Sequence, residues 1–203
     1  MFSDLPNDTV SKKKQMYPIS DGLFQYLNKY ERITPIPIVY HDLLRYDNCV
    51  PVYDADGKDT LWESVIYAPL DLEEINEVLT QIYAILKTGG EMSVMDHLRV
   101  DRIDYCPFGN SKPFRVKIIN KLNDNYDYFY VKQPDASRVY GLELEDLLSP
   151  NRINYLVDRG TLIEEHIAGI PGDQFVEKYI NTKGVNEIRL AKEFIKFNER
   201  CFV

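Results

Sequence analysis

Apolar residues recur along this chain at two spacings, and each spacing marks a different element. Behind Ser20 and Asp21, Leu23, Leu27 and Tyr30 fall on one helical face, which Phe24 and Tyr26 widen. Ile75, Val78, Leu79, Ile82, Ile85 and Leu86 repeat the helical spacing, with Asp71 and Glu74 placed as a capping-box pair and Gly89-Gly90 as a stop. Ala136–Leu148 predicts a third helix, apolar at Val139, Leu142, Leu144, Leu147 and Leu148 and ended by Pro150. A last helix is expected over Val185–Val203. Its apolar residues (Ile188, Leu190, Phe194, Ile195, Phe197 and Phe202) spread widely around it, which predicts burial on more than one side.

Shorter runs, rich in tyrosine and β-branched residues, predict strands. Pro35 and Pro37 exclude a helix over Thr34–Tyr40, leaving an extended edge segment. Val50–Tyr53 and Leu61–Tyr67 form a hairpin around Asp54-Ala55-Asp56-Gly57. Arg102–Tyr105, Phe114–Ile119 and Tyr126–Gln133 read as a three-strand meander, joined by the turn-rich loop Cys106–Pro113 and the turn Asn123-Asp124-Asn125. Ile153–Val157 and Thr161–Ile167 form a second hairpin, and Gly169-Ile170-Pro171-Gly172 connects it to the terminal helices. The fold class is therefore α+β. Residues 1–90 form an N-terminal α+β unit, and residues 91–203 form an antiparallel five-stranded sheet with one helix and C-terminal helices. Residues 1–18 are polar and expected to be a loose solvated tail.

Charge and composition narrow the chemistry. The 203 residues carry 24 basic and 32 acidic side chains, a formal net charge of -8, which argues against duplex nucleic acid as the main partner. Cys49, Cys106 and Cys201 are far apart and form no C-x-x-C pair, so neither a disulfide scaffold nor a zinc ribbon is expected. No secretory signal or stretch of roughly 18 apolar residues appears, and a cytoplasmic location is expected. His41, His97 and His166 lack metal-ligand spacing, and Asp96, Asp101 and Asp104 near His97 read as a solvated acidic loop, so no metal centre is expected. No P-loop, G-x-S-x-G or Rossmann fingerprint is present.

Three strands, a helix, two strands, a Gly/Pro connector and helices follow one another over residues 100–203. Within them, Tyr128-Phe129-Tyr130-Val131-Lys132 ends a third strand in a lysine, and Leu162-Ile163-Glu164-Glu165-His166-Ile167-Ala168-Gly169 runs from a strand into a connector. This half of the chain resembles the small lobe and hinge of the protein-kinase-like fold. It is most similar to divergent members such as isocitrate dehydrogenase kinase/phosphatase and the HipA-like and aminoglycoside-phosphotransferase-like kinases. The resemblance implies an ATP site with Mg²⁺. Lys132 would hold phosphates, fixed by Glu143 or Glu145 of the next helix, with Glu143 preferred. Gly109 would lie in the loop over the phosphates, although that loop has one glycine where the family has three. Glu165, His166 and Ile167 would meet adenine, with Glu164 near the gate. The family's H-R-D-like loop and D-F-G-like triplet are not among the 203 residues. The chain is thus expected to be a binding half that a downstream domain or second chain completes against the last helix. The competing expectation is a non-enzymatic regulatory or protein-interaction module.

Overall fold

The computed structural model describes residues 14–149, 152–158, 160–170, 172–182 and 184–201. In chain order the elements are α1 (Asp21–Lys29), β1 (Asn48–Tyr53), β2 (Asp59–Ile66), α2 (Pro69–Thr88), β3 (Leu98–Tyr105), β4 (Phe114–Asn120), β5 (Tyr126–Lys132), α3 (Ala136–Leu148), β6 (Tyr155–Val157), β7 (Leu162–Glu165), α4 (Gly172–Lys178) and α5 (Glu187–Cys201). Single 3₁₀ segments occupy Tyr40–Leu44 and Met92–His97. The α+β class is as expected. The sheet, however, has seven strands, in the order β1-β2-β3-β4-β5-β7-β6, and every neighbouring pair is antiparallel. The pairs Glu63↔Tyr105 and Ser64↔Asp104 carry it across residue 90, so the five expected strands are one continuous part of a larger sheet.

Side chains alternate between the faces of a strand, and the two faces here are covered differently. On one face Ile103, Phe114, Val116, Ile118, Phe129, Val131 and Ile163 pack under Ile75, Leu79, Ile82 and Leu86 of α2. On the other, Val157 and Leu162 meet Val139 and Leu142 of α3 and Leu23 and Leu27 of α1. Among the described residues α1 and α3 pack at the β7–β6 end, and the second face remains partly open over β2–β5.

Several local expectations are corrected. Asp71 does not cap α2. The helix begins at Pro69, whose missing N–H costs nothing in a first turn, and Asp71 lies 3.8 Å from Arg45 instead. Of the supposed loose tail, residues 14–18 are tied to the start of α3. The Tyr17 amide donates to Asp135 Oδ1 (3.0 Å), and the Ala136 amide donates back to the Tyr17 carbonyl (2.8 Å). Residues 1–13, Pro150, Arg159, Pro171, Phe202 and Val203 lie outside the described residues. Asp101 and Asp104 belong to β3 and not to a solvated loop, and Asp104 is fully buried. Strand β7 ends at Glu165, leaving His166 and Ile167 just beyond it.

Within the described residues α5 is not buried on several sides. Ile188, Phe194, Ile195 and Phe197 are all exposed. Between α4 and α5 an open apolar groove of about 1070 Å³ runs past Phe175, Val176, Ile180, Leu190 and Phe194.

Phe129 is fully buried beneath α2, whereas Leu70 is 83% exposed on it. In urea unfolding, Phe129→Ala is expected to cost about 4 kcal/mol and Leu70→Ala less than about 0.5 kcal/mol. Equal costs would contradict this assignment of the core.

Candidate functional site

The open sheet face follows directly from the alternation in β5. Tyr126, Tyr128, Tyr130 and Lys132 share one side, while Phe129 and Val131 point into the α2 core. The strand register sets Ser64, Asp104, Arg115, Tyr130, Glu164 and Tyr155 in a row across six strands on that side. Arg115 anchors the middle of the row. Its Nη2 and Nε donate to Asp104 Oδ2 at 2.7 and 3.1 Å, and its guanidinium lies 4.5 Å from the Trp62 ring centroid and 5.5 Å from that of Tyr128. Arg102 Nε also comes within 2.9 Å of Asp104 Oδ1, though not in hydrogen-bonding alignment. His166 extends the aromatic floor through a 3.1 Å hydrogen bond between Nδ1 and the Tyr130 hydroxyl.

Beside this floor, Glu164 is only 2% exposed and holds two cations. Lys132 Nζ donates to Oε2 at 2.9 Å, while Arg138 donates from Nε to Oε1 at 2.9 Å and from Nη2 to Oε2 at 2.7 Å. Burial alone would push the Glu164 carboxyl up. The hydrogen bond from Arg138 and the charges of Lys132 and Arg138 outweigh it and hold the group below the usual glutamate range. Arg138 is in the first turn of α3, whose start is fixed by Asp135 accepting from the Ser137 amide at 3.3 Å. Above the clamp is a cavity of about 170 Å³, lined by Lys14, Asn110, Ser111, Lys132, Asp135 and Arg138 among others. Three cations thus face it against the carboxylates of Asp135 and Glu164. Such a site can hold an anion with several oxygens, such as a phosphate group, through charge-assisted hydrogen bonds.

The residues singled out from sequence fall into three groups. Lys132 and the loop carrying Gly109 come together, because Asn110 and Ser111 line the same cavity as the lysine. Gly109 is required there by packing. A Cβ on it would stand 2.7 Å from Pro113 Cδ, within a loop that Tyr40 ties down through a 2.8 Å hydrogen bond to the Lys112 carbonyl. Glu143 and Glu145 do not reach Lys132. Glu143 accepts from the Tyr155 hydroxyl and lies 3.3 Å from Arg32 Nε, and Glu145 is half-buried elsewhere on α3. Glu165 turns to the α2 face, where Oε2 accepts from Lys87 at 3.0 Å. His166 stays on the Lys132 face, and Ile167 is exposed.

Trp62, Arg115 and Arg138 carry no signal in the linear sequence, and Glu164, expected near the gate, is also the lysine's partner. The period-two pattern of β5 was the available signal for the aromatic floor. Nothing in the linear sequence announces that Arg138 and Glu164, 26 residues apart, share a salt bridge. No protein-family model, curated protein or solved structure matches the chain.

Glu164→Gln removes the charge while keeping the shape, and is expected to cost about 2 kcal/mol at neutral pH. A depressed folded-state pKa contributes stability that is complete above the unfolded glutamate value of about 4.3. That contribution disappears as pH falls through the lower folded value. The stability gap between wild type and variant should therefore be flat from pH 7 to 5 and close on further acidification. Denaturant titrations at stepped pH check this, and a gap that persists at the acid end would contradict it.

Proposed function

We propose that this chain binds ATP with Mg²⁺ at the end of β5, as the nucleotide-binding part of a kinase-like phosphotransferase. One observation carries the reading: Lys132, at the end of the third strand of a meander, is fixed by a buried carboxylate beneath the β3–β4 loop. The element order supports it as well, with meander, helix and hairpin leading into helices.

Lys132 and Arg138 would hold the phosphates, with Lys14 at the rim and Ser111 offering a hydroxyl. Magnesium would arrive with the phosphates, since such ions keep most of their shell as phosphate oxygens and water. The purine would lie against the half-buried rings of Tyr130 and His166. The amides of Glu165 and His166 already donate to Asn154 and Tyr128 carbonyls, which leaves Ile167 of the three for the adenine edge. Glu164 takes the role that the resemblance gives to a helix glutamate, so the lysine is oriented from β7 and α3 supplies a second cation. Transfer to an acceptor would need groups from a downstream domain or second chain, for which the apolar α4–α5 groove is the natural contact.

The exposure of that groove also favours a second reading, a non-enzymatic interaction module built on the same sheet. Thermal unfolding with ATP and Mg²⁺ separates the two. At a hundredfold excess over Kd a bound nucleotide adds about 2.7 kcal/mol, several degrees in Tm. The expected result is a shift for the wild type that is lost in Lys132→Ala. A wild type that does not shift would leave the interaction module as the better reading.

A further inference from the structure

The open side of the sheet repeats one pattern three times along β5. Tyr126, Tyr128 and Tyr130 stand in line, each about 7 Å from the next. Each ring has a cation against it. Lys117 Nζ is 4.8 Å from the Tyr126 centroid, the Arg115 guanidinium is 5.5 Å from that of Tyr128, and Lys132 Nζ is 5.4 Å from that of Tyr130. Trp62 continues the surface towards β2, with its ring 4.5 Å from the Arg115 guanidinium and 6.4 Å from the Tyr130 ring. Tyr126 is 63% exposed, and Trp62, Tyr128 and Tyr130 are half-buried, so these rings reach solvent. Charge is segregated on the same side. On β3 and β4, Arg99, Arg102, Arg115 and Lys117 share it with two carboxylates, Asp101 and Asp104. Asp104 is fully buried, and both its oxygens lie against arginines. A chain with a formal net charge of -8 thus presents a locally positive face.

Flat rings interleaved with cations suit one class of partner. Unstacked bases lie on aromatic faces and on guanidinium planes, while the phosphates between them meet the cations. A stretched single strand advances per nucleotide by about the step between alternate residues of a β-strand, so successive bases keep pace with the tyrosines. A duplex hides its base faces in its own stack. We propose that the β2–β5 part of this face, from Trp62 to Tyr126, binds single-stranded nucleic acid. About two or three bases rest on Trp62, Tyr128 and Tyr126, and Arg99, Arg102 and Lys117 take the phosphates. The net charge opposes a long duplex, but a short strand lies within the local field of these cations. The site uses residues other than those of the Lys132 cavity and does not rest on nucleotide binding there.

Trp62 is the single tryptophan of the chain, so its fluorescence reports on the site directly. The full chain is titrated at low ionic strength with oligouridine or oligodeoxythymidine of about 12 nucleotides. Saturable quenching of Trp62 is expected, with anisotropy of labelled copies giving the affinity. The two strands distinguish RNA from DNA through the 2′-hydroxyl. A duplex of the same length, and heparin as a plain polyanion, should bind at least about tenfold more weakly. Tyr126→Ala, at an exposed position, should fold normally and weaken binding about tenfold. Arg99→Ala should weaken it too and lower its log–log salt slope by about 0.7. No binding by either strand, binding that leaves Trp62 unquenched, duplex or heparin binding as tight as that of a single strand, or unchanged affinity in Tyr126→Ala would each overturn the proposal.

Discussion

A single buried carboxylate joins the parts of this fold that matter for its chemistry. Glu164 lies on β7, takes one cation from β5 and another from α3, and is almost sealed from solvent. A carboxylate in that position is tolerated only if it is paired and hydrogen-bonded, and removing a partner leaves an uncompensated charge. The ion pair therefore ties the first turn of α3 to β7. One side of the contact is the apolar patch of Val139, Leu142, Val157 and Leu162, and the other is the polar row through Tyr130 and Arg115. Glu164 marks the boundary between them.

Helix geometry then explains how α3 serves two surfaces. Arg138 and Glu143 are five positions apart, which turns them about 140° from one another around the axis. With Arg138 directed at the sheet beside Lys132, Glu143 is carried to the α1 side, where Arg32 and Tyr155 receive it. Glu145, seven positions from Arg138, returns to nearly the same azimuth but about 10 Å farther along the helix. Neither glutamate can meet a lysine that α3 addresses from its first turn. The lysine is oriented instead by an anion on the strand, which it shares with a cation on the helix.

Much of the architecture was legible in the residues because it depends on local periodicity. The long α2, the meander and the second hairpin are written in apolar spacing and turn residues such as Asp158 and Gly160, where Asp158 Oδ1 accepts from the amides of Gly160 and Thr161. Lys132 and the Gly109 loop could be placed together because they flank neighbouring strands. The pairing of β2 with β3 had no local signature: it rests on Glu63 and Ser64 meeting Tyr105 and Asp104 across some forty residues of intervening chain. The partner of Lys132 was missed for a related reason. Its identity depends on the azimuth of α3, which packing on Leu23 and Leu27 of α1 decides. Tyr17 was equally hidden, since its tie to Asp135 spans 118 residues.

Chemical labelling of Lys132 tests most directly the proposal that this lysine meets nucleotide phosphates. An acyl-phosphate derivative of ATP delivers a reactive carbonyl to whatever amine lies against the phosphates, and peptide mass spectrometry locates the label. On this account Lys132 is acylated, and excess ATP protects it. A Lys132 that stays unmodified, or that is modified equally with and without ATP, would contradict the account.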